Sequence, residues 1–583
     1  MRGFHLLLAV GLSLPFVLGF TPIDERQAAS RLAFSPQGEP NQTLLNINNI
    51  TTRVRSDGRF YRPEDTWNGT FPRGTAGVVF TEGILWGGFV NDGQTPALRV
   101  NGTTYNTGLV PGAVLGIRTG IAEDHIRQPD VRIWRVRRDW QTADLSQEAV
   151  ELDTTVEAIR RQYLRDWNEW PAFKGAPYDD VDGDGLYNPT VDIPGIPGAH
   201  QTIWFVANDI GELASPVYGS PPIGMELQMT LWGYAFPADH PLGNTTFKRV
   251  RLIYKGTATT PADATIDSMF ICQWVDPDVG DYFDDLVGCD TTRSLIYAYN
   301  GAAEDSRYAA FGLVPPAVGY VLLQGALVPS PGDTAIFDLQ RRPGFKNLPM
   351  TSFLWFAAGG PDDDPPMGPY EGTLQWYNLM LGLRPSPGYP NGLPWVSPTN
   401  DTTVFPLSGD PLAGTGWIDG QTLAPGDRRM GLSTGPFRMA LGDTQEVVLA
   451  LMGAIGDDYL QSIARLRETS DFIQALSDGL FEKLPTSVSE HAASRPTGFQ
   501  LAQNYPNPFN AVTVIRYALP RAGLVTLRVY DVLGREVRTL VHAFQEAKSY
   551  SVTFDASDLA SGVYLYRLQV GDFVETRKMI LIR

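Results

Sequence analysis

The sequence predicts a mainly β protein. One or two β-sandwich domains, jelly-roll or immunoglobulin-like, carry two notable helices and precede a small C-terminal immunoglobulin-like β-sandwich. Short β-branched and aromatic runs recur along the chain, many with period-two alternation, the pattern of half-buried strands. Turn formers are abundant, with 59 Gly and 45 Pro among 583 residues. Hydrophobic residues make up 43% and aromatics 11%, enough to fill a core between sheets.

The elements follow in chain order. Residues 1–20 read as a signal peptide: Arg2 precedes an apolar run from Leu6 to Phe20, with small Val17 and Gly19 placing cleavage near Gly19 or Phe20. That run is too short to span a bilayer comfortably, and no later stretch approaches 18 uninterrupted apolar residues. The mature protein is therefore expected to lack a transmembrane segment. Residues 21–140 form a β-rich region that includes Gly77–Phe80 and Gly83–Val90. Residues 141–199 hold a helix and an acidic loop. In that helix, roughly Thr155 to Trp170, Val156, Ile159, Tyr163 and Trp167 recur at spacings of three and four and so share one face. Residues 200–484 form the main sandwich, with strands at Gln201–Val206, Phe247–Tyr254 and Thr444–Leu451. It ends in a helix from about Asp457 to Phe481 that carries Leu460, Ile463, Leu466, Ile473, Leu476 and Leu480. Residues 485–498 are a polar linker, and 499–583 form the terminal module.

A net charge of −18 argues against nucleic acid, whose phosphates would be repelled. Cys272 and Cys289 permit a disulfide in an exported protein; two unpaired thiols are the alternative. Cys272 falls in a strand and Cys289 in an acidic loop.

The clearest chemical pattern in the body is Asp180-Val181-Asp182-Gly183-Asp184-Gly185-Leu186-Tyr187-Asn188. Calcium takes six to eight hard oxygens, and carboxylates at alternate positions of a tight loop supply them. Asp180, Asp182 and Asp184 stand at positions 1, 3 and 5, Gly185 at the turn, the Leu186 carbonyl at 7 and Asn188 at 9. Val191 replaces the closing glutamate, with Asp192 one residue further as the substitute ligand. Pro189 and Pro194 exclude a helix directly after the loop, so the pattern is similar to the Asp-rich calcium loops of exported bacterial β proteins rather than to an EF-hand. A second loop, Asp276 to Asp285, packs five carboxylates into ten residues without matching a template. Asp362-Asp363-Asp364 reads as a solvated turn.

Catalytic signatures are thin. His125, His200 and His240 form no zinc motif. Gly431-Leu432-Ser433-Thr434-Gly435 matches a nucleophile elbow by letter, but that chemistry needs a helix after the serine, and Pro436-Phe437 leads into a strand instead. The segment reads as a turn. A carboxylate pair of glycosidase type remains open among 64 acidic residues. Trp355, Trp376, Tyr377, Trp395 and Trp417 lie in or beside Gly/Pro-rich segments, as core residues or as rings that stack on sugars.

The terminal module carries its own pattern. Thr513–Tyr517, Val525–Tyr530 and Val563–Leu568 are strand-like, and Gly523, Gly534, Gly562 and Gly571 punctuate them, giving about seven strands. The segment runs Asn504-Tyr505-Pro506-Asn507-Pro508-Phe509-Asn510, then Val529-Tyr530-Asp531-Val532-Leu533-Gly534-Arg535, then Leu559 to Tyr564 and Arg577-Lys578-Met579-Ile580-Leu581. In that order these motifs resemble the type A C-terminal sorting domain of type IX secretion cargo in Bacteroidota-type bacteria. Ala511 departs from the family's usual second proline. The resemblance implies a sorting signal that includes Tyr505, Pro506, Asn507, Pro508, Phe509, Gly534, Gly562, Tyr564 and Lys578. It also implies recognition by the secretion machinery, removal by a sortase-like peptidase between Pro485 and Thr497, and attachment to a surface glycolipid or release. Location is thus expected to be secreted or cell surface, via the periplasm. For the body the sequence favours a calcium-stabilised β-sandwich for adhesion, glycan binding or envelope structure, with a secreted hydrolase on polysaccharide as the alternative.

Overall fold

A computed structural model describes residues 42–60, 68–124, 127–128, 130–211, 214–481, 499–504, 507–545, 549–571 and 573–582. The expected signal peptide, the linker 485–498, His125, Tyr505 and Pro506 lie outside the described residues.

The body is a sandwich of two antiparallel sheets. The larger runs in the order Asp285–Asp290, Leu295–Asn300, Ala317–Gln324, Thr444–Ala454, Thr245–Tyr254, Met225–Gly233 and Gln201–Asn208, with Val110–Pro111 and Trp134–Arg137 both pairing with the last. The smaller runs Ser352–Ala357, Arg428–Ala440, Thr265–Asp276, Thr81–Asn91 and Leu98–Gly102. Strands from the expected regions 21–140 and 200–484 thus share these sheets, while those of 141–199 pair, among the described residues, only with each other. A meander of Gln42–Leu45, Thr51–Arg55, Gly69–Thr70 and Gly77–Val79 adds Leu45, Val54, Phe71 and Val78 to the interior.

Alternation sends one set of side chains inward and covers the other with helices. Ile203, Met229, Val250, Val318 and Leu449 of the larger sheet meet Ile84, Trp86, Ile271, Met430 and Leu432 of the smaller. Helix Tyr459–Asp478 lays Ile463, Leu466, Ile473 and Leu476 on the outer face of the larger sheet, against Phe247, Tyr297, Val448 and Ala450. Helix Glu371–Met380 covers the outer face of the smaller sheet, where Trp376, Leu379 and Met380 pack on Cys272, Trp274 and Phe356. Covered on both sides, strands such as Thr444–Ala454 are almost continuously apolar. Asp458 caps its helix by accepting from Gln461 N at 2.8 Å.

Helix Val156–Asn168 buries Ile159 and Tyr163, starting from Thr155, whose side chain accepts from Ala158 N. Its Asp166 takes Arg132 Nη2 at 2.8 Å and Arg135 N at 3.0 Å, tying the helix to strand Trp134–Arg137. Helix Ser146–Glu151 packs beside Val156–Asn168, with Tyr163 Oη donating to Glu148 Oε1 at 2.8 Å.

Several expectations need correction. Gly431–Gly435 is no turn: it lies inside strand Arg428–Ala440, with Ser433 fully buried opposite Cys272. The glycines there permit close packing, since a Cβ on Gly431 would stand 2.7 Å from Gln273 O and one on Gly435 2.5 Å from Phe270 Cδ1. Cys289 sits in strand Asp285–Asp290 rather than a loop, and both cysteines are buried free thiols. Burial pushes the Cys272 thiol up to about 12, so it carries no thiolate at neutral pH. Asp362 is not solvated either; it is buried and paired with Arg384, Nη2 to Oδ2 at 3.0 Å.

The terminal module is a second sandwich of seven strands among the described residues. Three form the sheet Gln500–Leu501, Val512–Ala518, Ser549–Asp555, and four the sheet Glu536–Gln545, Gly523–Asp531, Gly562–Val570, Phe573–Leu581. Phe509, Ile515, Leu527, Phe554, Tyr566 and Leu568 fill it.

Between the body's two sheets lies one buried ion pair, Lys248 Nζ to Glu82, with side chains 5% and 3% exposed. Gln273 Nε2 donates to the same Glu82 oxygen at 2.9 Å, and the Phe60 ring lies 4.5 Å from the ammonium. Burial pulls the Lys248 pKa below its ordinary value, and Glu82 opposes that. Lys248→Met strands the Glu82 charge, so we expect a loss of about 3–5 kcal/mol in urea unfolding, largely recovered by adding Glu82→Gln. A cost under ~1 kcal/mol would show that the pair is dispensable.

Candidate functional site

The first acidic loop is a hairpin closed by Tyr178–Asp179 pairing with Ile193–Pro194. Aromatic anchors fix its base. Tyr187 Oη donates to Trp167 O at 2.6 Å, Trp167 Nε1 to Pro189 O at 3.1 Å and Trp170 Nε1 to Pro177 O at 2.8 Å. Tyr178 and Tyr187 meet edge to face, and both pack against the cluster of Trp134, Trp170 and Trp204.

The fold brings Asp180, Asp182 and Asp192 together, with one carboxylate oxygen from each within 4.8 Å of the others. Backbone donors hold these acids in place. Asp180 accepts from Gly183 N and Gly185 N, both at 2.9 Å, and Asp192, 2% exposed, accepts from Val181 N at 3.0 Å and Asn188 N at 2.7 Å. Gly183 and Gly185 have φ of +72° and +75°, the left-handed region that only glycine enters freely. Asp184 stands outside the group; its Oδ1 accepts from Leu186 N at 2.7 Å. Asn188 Oδ1 is taken up by Thr190, from N at 3.1 Å and Oγ1 at 2.8 Å, and the Leu186 side chain is exposed. Burial raises the Tyr178 hydroxyl pKa, and Asp180, Asp192, Asp184 and Asp182 raise it further.

The second acidic loop is more deeply set. Asp276 ends strand Thr265–Asp276 and Asp285 opens strand Asp285–Asp290, while Asp427 precedes strand Arg428–Ala440. Asp276, Asp278 and Asp427 form a second group with oxygens within 4.8 Å of one another. Tyr105 Oη donates to Asp276 Oδ2 at 2.8 Å. Arg429 Nη1 lies 3.1 Å from Asp276 Oδ1 and also pairs with Asp427, and its Nε stands 3.6 Å from Asp364. Burial raises the Asp276 carboxyl well above its ordinary range; Arg429 opposes this, and Asp278 and Asp427 add to it. Burial likewise lifts Asp364 to about 6, against Arg429. Beside the loop Tyr282 and Phe283 expose their rings, 40% and 67%, with centroids 4.1 Å apart. Sequence reasoning missed Asp427 and Arg429, which no local motif connects to Asp276.

The rings left open between core and sugar stacking belong to the core or pack against it. Trp376 and Tyr377 are 1% and 2% exposed, Trp355 and Trp395 stack on each other within the sandwich interior, and Trp417 is partly buried against it. These tryptophans offer no exposed binding face. His240 Nδ1 instead accepts from Leu242 N at 3.1 Å, and His200 packs edge to face on Tyr234 and Phe236.

In the terminal module, residues 507–509 zip onto the last strand. Ile580 N donates to Asn507 Oδ1 at 2.7 Å, Phe509 N to Ile580 O at 2.9 Å and Ile582 N to Phe509 O at 2.9 Å. Pro508 lies between them. Tyr564 Oη reaches Ala560 O at 2.8 Å, Gly562 opens its strand and Gly534 turns at φ +75°. Lys578 is exposed, while its carbonyl accepts from Gln503 Nε2 at 2.7 Å. Of the motif residues outside 505–506, Phe509 and Tyr564 are buried, Asn507 and Pro508 half-buried, and Gly534, Gly562 and Lys578 exposed.

Residues 503–582 match the family described as the secretion system C-terminal sorting domain. The chain is accordingly a cargo of the type IX secretion system, exported to the cell surface or secreted, and its tail engages that machinery. Among the described residues no helix is long and apolar enough to cross a membrane. No curated protein matches the chain. Among solved structures it is similar to a polysaccharide lyase at 8% identity and TM-score 0.16, covering 62% of this chain and 36% of that one. It is also similar, at 13% identity and TM-score 0.12, to PorZ, a surface component of the type IX secretion system of Porphyromonas gingivalis, covering 66% and 43%. The chain spans less than half of either structure, and likenesses of this size carry no argument. Deletion of residues 499–583 is expected to leave the body in the periplasm, read by cell fractionation and protease accessibility. Unchanged surface display of the truncated chain would contradict the assignment.

Proposed function

We propose that the body is a calcium-supported surface or secreted β-sandwich serving adhesion or envelope structure, delivered by its tail after a signal peptide has directed export. The carrying observation is the convergence of Asp180, Asp182 and Asp192 in a loop whose backbone is already shaped by two left-handed glycines. The donor set fits the ion: carboxylate oxygens are the hard ligands calcium prefers, and each carboxylate that accepts a backbone N–H keeps lone pairs for a cation. Asp184, which stands outside the group, and the Leu186 carbonyl are close in sequence and would complete the set by turning toward the ion. The ion would be structural. It would offset repulsion among the carboxylates and hold the two arms of the hairpin together.

A glycan partner bound through the buried tryptophans is no longer the favoured form of this reading. The hydrolase alternative would rest on Asp276, Asp278 and Asp427, the acids that stand close together beside exposed rings. Arg429 pairs with two of the three, which leaves them poorly placed to trade a proton with a substrate. By family resemblance, a sortase-like peptidase removes the tail in the linker, with a surface glycolipid as the attachment partner.

Calcium removal by chelation should lower the melting temperature; an ion a hundredfold above its dissociation constant contributes ~2.7 kcal/mol. Asp182→Asn, at an exposed site, should remove part of that calcium-dependent gain without lowering stability in chelator. Asp192→Asn should also weaken the chelated protein, by about 1–3 kcal/mol, because Asp192 holds two backbone donors. Unchanged calcium dependence in Asp182→Asn would overturn the reading. Release of reducing sugar from a polysaccharide panel would favour the hydrolase instead.

A further inference from the structure

The second acidic loop gathers carboxylates around a guanidinium: Asp278 stands with Asp276 and Asp427, and Arg429 touches Asp276, Asp427 and Asp364. Asp285 lies apart from it. Its side chain is fully buried; Oδ2 accepts from Val279 N at 3.2 Å, and Oδ1 has no hydrogen-bond partner. The charged groups acting most strongly on Asp285 are Asp278, Asp284 and Asp427, all carboxylates. Directly across the ladder from Asp285 stands Asn300, whose side chain leaves the same face of the sheet. Asn300 is fully buried as well, and its Oδ1 is also without a partner, while its Nδ2 serves Asp284 Oδ2 and Ala302 O.

Two orphaned buried oxygens beside a carboxylate cluster ask for a positive partner. A buried acceptor left unsatisfied costs about 1–3 kcal/mol, and more when it is charged. Protonation of Asp285 would answer one of them and leave the Asn300 oxygen and the Asp276–Asp278–Asp427 cluster as they are. A divalent cation held by Asp276, Asp278 and Asp427 would supply the positive charge that Asp285, acted on by Asp278 and Asp427, otherwise lacks. Only oxygen donors are present, among them acids and an amide carbonyl, which is the ligand chemistry of calcium rather than of zinc or copper.

We infer that Asp276, Asp278 and Asp427, with Asp285 and Asn300 behind them, form a second divalent-cation site of calcium type, independent of the Asp180 loop. The site joins ends of both sheets: Asp276 and Asp427 adjoin strands of the smaller sheet, and Asp285 and Asn300 belong to the larger. An ion there would clamp the sandwich at its edge, next to the exposed Tyr282 and Phe283.

Full-length protein stripped with chelator and titrated with calcium by calorimetry tests this. Wild type should bind two equivalents. Asp182→Asn should lose the equivalent of the first loop, and Asp285→Asn that of the second, the affected affinity falling at least ~10-fold. Terbium provides a separate readout, because the Tyr105 and Trp274 rings lie 4.8 Å apart and Tyr105 touches Asp276. Because Trp167 and Trp170 stand at the base of the first loop, emission is read in the Asp182→Asn background, where it should persist and then vanish on adding Asp285→Asn. Should Asp285→Asn fail to fold, Asp427→Asn, at a partly exposed position, should show the same loss. A folded Asp285→Asn or Asp427→Asn with unchanged stoichiometry and emission would overturn the second site and leave Asp285 as a neutral buried acid. Loss of the Asp182-sensitive equivalent alone would instead be a failure of the first-loop reading.

Discussion

The body of this protein is organised around one charge pair placed where charges are least welcome. Lys248 belongs to a central strand of the larger sheet and Glu82 begins an inner strand of the smaller, and they meet in an apolar interior. Neither charge tolerates that environment alone. The pair therefore fixes which strand faces which. Register is fixed as well, because a slip of one residue would turn Lys248 toward the helix-covered face and Phe247 toward Glu82. The apolar residues supply most of the burial, but many registers would satisfy them approximately. The pair selects among those registers.

Acidic residues then serve opposite purposes at two places. In the Asp180 loop, carboxylates are held by backbone donors on an exposed hairpin, and the chain conformation there owes much to two glycines. At the Asp276 cluster the carboxylates are inside, and their neighbours come from strand ends that are distant in sequence. The first arrangement is local and the second is tertiary. The Asp276 cluster adjoins the Lys248 pair, since Asp276 stands across the ladder from Thr81, next to Glu82, whereas the Asp180 loop is a separate hairpin.

That distinction also explains what could be read from the sequence. The helix Tyr459–Asp478 was legible because Ile463, Leu466, Ile473 and Leu476 keep helical spacing on a half-buried surface. The helix Glu371–Met380 was not: Gly372, Thr373, Trp376, Tyr377, Asn378, Leu379 and Met380 are all buried, so no polar face marks a period. Ser433 was misread as a turn because Gly and Pro usually punctuate, whereas here Gly431 and Gly435 make room for neighbouring strands. The Asp180 loop was visible as spacing, and Asp192 as one of its members, since all the residues are contiguous. Asp427, Arg429 and Asn300 gave no signal, because only the fold brings them to Asp276 and Asp285. The tail was the most legible part, its strands and motif residues lying within one short segment.

The two sandwiches differ in how far along the chain their partners lie. In the body, Thr81 pairs near Asp276, and Thr245 pairs with Met452, so closing either sheet awaits most of the sequence. In the tail the widest pairing within a sheet is that of Val525 with Val570. Closing long loops before contacts repay them slows folding, so the tail forms its clasp sooner than the body forms its sheets. The address is therefore readable on a chain whose body is still unfinished. Any check that the body is complete before it leaves the cell must lie outside the tail.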